Sequence, residues 1–81
     1  MNTPPEEFEA AIDEIDSPEA EVAAGALLRS LPGVWASAVA LGAVWVSFDP
    51  SVSGCARICR KLRLAGFTPQ ITLVNGQHAK C

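Results

Sequence analysis

The chain has 81 residues, 49% of them hydrophobic and 19% charged, and six Lys and Arg against nine Asp and Glu give a net charge of −3. That length supports one domain with a modest core. The acidic balance gives no support to nucleic-acid binding, which requires a basic face.

The charge is unevenly spread: residues 1–21 carry eight of the nine acids and no base, while Arg57, Arg60, Lys61 and Arg63 cluster near residue 60. Such a dipolar pattern either orients a partner or forms two solvated faces. No secretory signal is present, because the N-terminus is acidic and lacks an apolar core. The run from Leu31 to Phe48 is interrupted by Pro32, Gly33 and Gly42 and reads as a hairpin, so no membrane insertion by this segment is expected. Three cysteines without an export signal imply reduced thiols and a cytoplasmic location, including the cytosolic part of a membrane protein.

In chain order, residues 1–7 form a flexible polar leader. The segment Phe8 to Asp13 fits a helix by composition and a strand by alternation, and the pattern leaves both open. Ser17-Pro18-Glu19 starts a helix: Ser as N-cap, Pro in the first helical position, Glu facing the positive end of the dipole. Val22, Ala24, Leu27, Leu28 and Leu31 form its apolar stripe, and Pro32-Gly33 ends it. Gly25 weakens that helix and suggests a close packing neighbour. Val34 to Leu41 and Ala43 to Phe48 alternate as two strands joined near Gly42. Asp49-Pro50-Ser51 ends the second and caps a helix from Ser51 to Ala65. Val52, Cys55, Ile58, Cys59 and Leu62 line one face of that helix, and Gly66 closes it in the left-handed conformation. Thr68 to Val74 is a last strand, with Pro69 near its start as an edge strand tolerates. Asn75-Gly76 then turns into a loose tail over 75–81.

The sequence Leu31-Pro32-Gly33-Val34, followed by Val44-Trp45-Val46-Ser47-Phe48-Asp49-Pro50 and by Ala65-Gly66-Phe67, resembles the heavy-metal-associated domain family. That family includes copper chaperones and cytosolic domains of metal-transporting P-type ATPases. The resemblance spans residues 8–74 and implies that Phe8 to Asp13 is a strand. The element order is then β-α-β-β-α-β, the α+β ferredoxin-like plan: a four-stranded antiparallel sheet with two helices on one face.

The family binds metal on a C-x-x-C pair between the first strand and first helix. With the chains matched at Leu31-Pro32-Gly33-Val34, those cysteines fall on Ser17 and Ala20, the family's Met on Ile15 and its Gly on Glu14. The chain therefore reads as a degenerate member without the soft-metal loop. Three other groups offer ligands. Asp13, Glu14, Asp16 and Glu19 supply hard oxygens, or are a solvated acidic loop. Cys55 and Cys59, four apart on a helix, have Cβ atoms about 5–6 Å apart, too far for an easy disulfide but within reach of one ion; their apolar neighbours place them in the core. His78 and Cys81 make an H-x-x-C half-site in the tail, for Zn(II) or Cu(I), and Cys81 could equally bridge to another chain.

Trp45, between Val44 and Val46, points to the sheet face away from the helices, with Trp35 beside it. This is either a partner-binding surface or a face covered by the ends of the chain. There is no constellation of nucleophile, base and acid in a credible pocket. The expected role is that of a non-catalytic regulatory or docking module in a metal-transporting ATPase or related protein, with weak metal binding. Its partners would be the other domains of such an ATPase or a metallochaperone. The alternative is an interaction module with no metal role.

Overall fold

The computed structural model describes residues 4–81. It contains β1 (Glu6–Ile12), α1 (Pro18–Ser30), β2 (Val34–Ala40), β3 (Ala43–Phe48), α2 (Cys55–Leu64) and β4 (Pro69–Val74). The strands form one antiparallel sheet in the order β2-β3-β1-β4. This is the expected ferredoxin-like plan.

The segment whose pattern was ambiguous is the central strand β1. Phe8, Ala10 and Ile12 alternate into the core, where each is at most 2% exposed. On β3, Val44, Val46 and Phe48 do the same, and Phe8 meets Phe48 with ring centroids 6.1 Å apart. The helices supply Ala24, Leu28, Ile58, Cys59 and Leu62 to complete that core. Strand β1 begins at Glu6, so Glu6 and Glu7 of the anticipated leader belong to the sheet, while residues 1–3 lie outside the described residues.

Helix α1 starts as its sequence demands: Ser17 Oγ accepts the amide of Ala20 at 3.2 Å, and Pro18 occupies the first turn. Val22, however, is 69% exposed. The stripe that faces the sheet contains Ala20, Ala24, Leu27, Leu28 and Leu31, and Val22 lies about 200° around the helix from Ala20 or Ala24.

Helix α2 begins at Cys55 rather than Ser51. Asp49 Oδ1 accepts from both the amide and the hydroxyl of Ser51, at 2.9 and 2.7 Å, so the Asp caps a turn instead of a helix. Val52 lies in that turn and is exposed, outside the apolar stripe. At the other end, Phe67 donates to the carbonyl of Leu62 and Gly66 to that of Arg63, with Gly66 at φ +96. These two bonds close a Schellman motif.

Candidate metal centre

The loop between β1 and α1 is committed to structure. Ser17 caps α1, and Ile15 is buried in the core. The carbonyl of Ile15 accepts the amide of Gly42 at 2.8 Å, which ties the loop to the β2–β3 reversal. Glu14 accepts the amide of Thr68 at 2.8 Å, and that bond holds its carboxyl below the ordinary value. Asp13, Glu14, Asp16 and Glu19 do not converge on a common point. Among the described residues, the cysteines form the one group of three or more His, Cys, Asp or Glu whose ligand atoms lie close together.

That group is assembled by α2 and the segment after β4. Cys55 and Cys59 stand one turn apart on the buried stripe of α2, with Ile58 and Leu62. Beyond β4, Asn75 and Gly76 both take positive φ, 51 and 78, and reverse the chain. Val74 and Gln77 then exchange backbone hydrogen bonds of 2.7 and 3.0 Å. His78 Nδ1 contacts the carbonyl of Thr72 at 3.2 Å. The segment anticipated as a loose tail thus folds back on β4, an edge strand of the sheet, and reaches α2.

There Cys81 is disulfide-bonded to Cys55, with Cα atoms 5.3 Å apart. The sequence implied three reduced thiols; in the structure only Cys59 is free. Its Sγ lies 3.9 Å from that of Cys81, and all three sulfurs lie within 4.8 Å of one another. The structure therefore brings Cys55, Cys59 and Cys81 together and leaves His78 outside the group. Cys55 and Cys59 are buried, whereas Cys81 is exposed. Arg63, Lys80, Cys59 and Cys81 border one open hollow beside β4. Burial pushes the Cys59 thiol up, and the charge of Arg63 opposes that rise. The convergence had one signal in the sequence, the Asn75-Gly76 turn, which sends the tail back along the strand it has just left.

Three sulfurs this close suit a soft ion and not Mg or Ca. At a metal–sulfur distance of about 2.3 Å, the corners of a trigonal site are about 4 Å apart, and Cys59 and Cys81 already stand at 3.9 Å. The fit requires the bond from Cys55 to Cys81 to be open.

No protein-family model matches the sequence, and no curated protein does. Solved structures do match. Oxidised MerP from Ralstonia metallidurans superposes with a TM-score of 0.81 at 11% identity, covering 86% of this chain and all of that one. A copper-binding domain of HMA7, a P-type ATPase, gives 0.80 at 22% identity over 85% of this chain and 96% of that one. A copper form of a CopA variant from Bacillus subtilis gives 0.71 at 25% identity over 88% and 96%. This is the heavy-metal-associated fold.

The sheet face away from the core carries Trp45. Trp45 pairs with Glu9 of β1 and Ala38 of β2, on the side away from the core. It is half-buried, and its indole Nε1 donates to Glu7 Oε2 at 3.2 Å. Ala36, Ala38, Ala40 and Ala43 leave the surface around it low and exposed. Trp35 is 59% exposed beside the irregularity in the β2–β3 pairing. No helix among the described residues is long and apolar enough to cross a membrane.

Proposed function

We propose that the chain is a non-catalytic metal-handling module that holds a soft ion, Cu(I) or less readily Zn(II), on Cys55, Cys59 and Cys81. The observation that carries this reading is the gathering of all three sulfurs within 4.8 Å, on a fold shared with copper-binding domains. The ligands have moved from the β1–α1 loop, where Ser17 and Ala20 replace a cysteine pair, to the junction of α2 and the returning tail. Three thiolates saturate Cu(I), whereas Zn(II) needs a fourth ligand. A three-thiolate Cu(I) centre carries two negative charges, which Arg63 and Lys80 at the same hollow would offset.

Its setting is the cytosolic N-terminal part of a metal-transporting P-type ATPase or a related metal-homeostasis protein, in a regulatory or docking role. The acidic first half and basic α2 would orient a neighbouring domain or a metallochaperone. Competition of the reduced chain with a Cu(I) chelator tests the ligand set. Cys59→Ser and Cys81→Ser should each weaken binding about tenfold or more, while Ser17→Ala and His78→Ala should leave it unchanged. Affinity that survives both cysteine changes sinks the proposal. A second reading, an interaction module using the Trp45 face, is favoured by the exposed alanine surface around that indole; it requires the reduced chain to show no response to metal.

A further inference from the structure

We propose that the Cys55–Cys81 disulfide and a bound soft ion are mutually exclusive occupants of one three-sulfur site, so that thiol–disulfide exchange controls whether the domain can hold metal. The inference rests on the metal-handling reading and adds its regulation. In the structure two of the three sulfurs are spent on each other, and Cys59 remains as a single buried thiol. One thiol cannot compete for a soft ion, and a disulfide sulfur is no substitute for a thiolate. The same sulfurs cannot close the bond while they hold an ion about 4 Å apart.

The site is built for the exchange. Of the three cysteines only Cys81 is an exposed residue, so an external thiol reaches it before the buried Cys55 and Cys59. A dithiol reductant attacks Cys81 Sγ and forms a mixed disulfide, and the Cys55 sulfur leaves and takes a proton. The second thiol of the reductant then attacks its own half of that disulfide and releases Cys81. Two electrons and two protons have passed from reductant to protein, and the reductant leaves as its disulfide. A Cu(I) ion then displaces the protons of the three thiols.

In the opposite direction a small-molecule disulfide accepts the electron pair. The Cys55–Cys81 bond forms, two small-molecule thiolates leave, the ion departs, and solvent supplies the three protons that those thiolates and Cys59 take up. Closure is also local in space. Cys81 sits between two helix positions one turn apart, bonded to Cys55 and 3.9 Å from the Cys59 sulfur. Cys55 and Cys59 alone, at that helical spacing, are poorly placed to bond each other. Cys81 is therefore the sulfur that changes partner, carried on the short segment beyond the hydrogen-bonded turn at Asn75-Gly76.

The test uses the full 81-residue chain and Cd(II), a soft ion that does not itself change oxidation state, followed by its thiolate charge-transfer absorption. Protein treated with a dithiol should show three alkylatable cysteines and protein treated with oxidised glutathione one, by mass after denaturation. The reduced form should bind Cd(II) about a hundredfold or more tightly than the oxidised form, since two of three ligands are consumed on oxidation. Pre-bound Cd(II) should slow disulfide formation in proportion to site occupancy. Cys81→Ser should bind more weakly, with an affinity that oxidised glutathione no longer changes. Equal affinity in both forms, or a disulfide that forms as fast with the site filled as without, overturns the switch and leaves the metal reading intact. A reduced chain that binds no Cd(II) overturns the metal reading and the switch with it.

Discussion

Glu14 is an acid of the β1–α1 loop with a defined structural partner, the amide of Thr68 at the start of the β4 segment. That hydrogen bond is the main reason its carboxyl lies below the ordinary value; Asp49 is lowered in turn, first by the Ser51 hydroxyl and then by the Ser51 amide. Both carboxylates are more acidic folded than unfolded. Each therefore contributes stability that is complete above the unfolded value, roughly pH 4 to 5, and is lost as pH falls through the folded value. Glu14 is exposed and the carboxyl of half-buried Asp49 is open to solvent, so solvent keeps the contribution of each small. The urea midpoint should accordingly be flat above about pH 5 and fall below it. Glu14→Gln should reduce the slope of the acid limb and leave the neutral plateau nearly in place. An acid limb identical to the parent's would show that the bond to Thr68 is not coupled to folding. Ser17 stands where the resemblance places a metal-binding cysteine, and as an N-cap it contributes about 1 kcal/mol to α1 instead.

At the scale of elements, the glycine inside α1 and the glycine between α1 and β2 act in opposite directions. Gly33 has φ +83, and a Cβ there would stand 3.0 Å from Val52 Cβ and Cγ1 and 3.1 Å from Ser53 Cβ. Its carbonyl also accepts the amide of Asp49 at 2.7 Å, which binds the end of α1 to the turn before α2. Gly33→Ala should cost roughly 1–3 kcal/mol from left-handed backbone and overpacking together. Gly25 lies mid-helix at ordinary φ, and a Cβ there would meet only the movable end of Arg29 at 3.2 Å and Val39 Cγ2 at 3.8 Å. The tight neighbour expected from the sequence is thus a flexible side chain, and Gly25→Ala should stabilise by about 0.5–1 kcal/mol. Urea midpoints of the pair of variants should move in opposite directions; a shared sign would refute the distinction. These elements were legible because their signals are local: Ser17-Pro18, Pro32-Gly33, Gly42 and Gly66 each fix a boundary through one turn or cap. The errors are local too. Val22, predicted for the apolar stripe, faces solvent, and Asp49-Pro50-Ser51, predicted to cap a helix, forms a turn closed by the Asp49 side chain.

The candidate site was not legible in the same way, because its deciding contact joins residues 26 apart in sequence. Nothing in the period of α2 announces that a segment beyond β4 will return to it. Cys55 and Cys59 looked committed to the core, and they are in it; the unforeseen step is that Cys81 comes to the same place. The consequence for the whole molecule is a stability that depends on the state of three sulfurs. Closing a loop of 26 residues removes unfolded-state entropy worth about 3.5 kcal/mol in the loop-closure treatment. For an 81-residue domain that is a large share of a total of about 5–15 kcal/mol. Reduction should therefore lower the unfolding free energy by about 3 kcal/mol without abolishing the fold, since Phe8, Ile12, Ile15, Leu28, Val46, Ile58 and Leu62 complete the core with no help from the bridge. An ion that binds only the folded reduced chain restores about 2.7 kcal/mol at a hundredfold excess over Kd. The domain should then be robust when oxidised or loaded and weakest when reduced and empty. Denaturant unfolding of wild type in the three states, with Cys81→Ser as a permanently open reference, gives the ranking directly. Equal midpoints for oxidised and reduced-empty protein would mean that the bridge closes no loop the unfolded chain was free to explore, and the energetic link between sulfur state and fold would be lost.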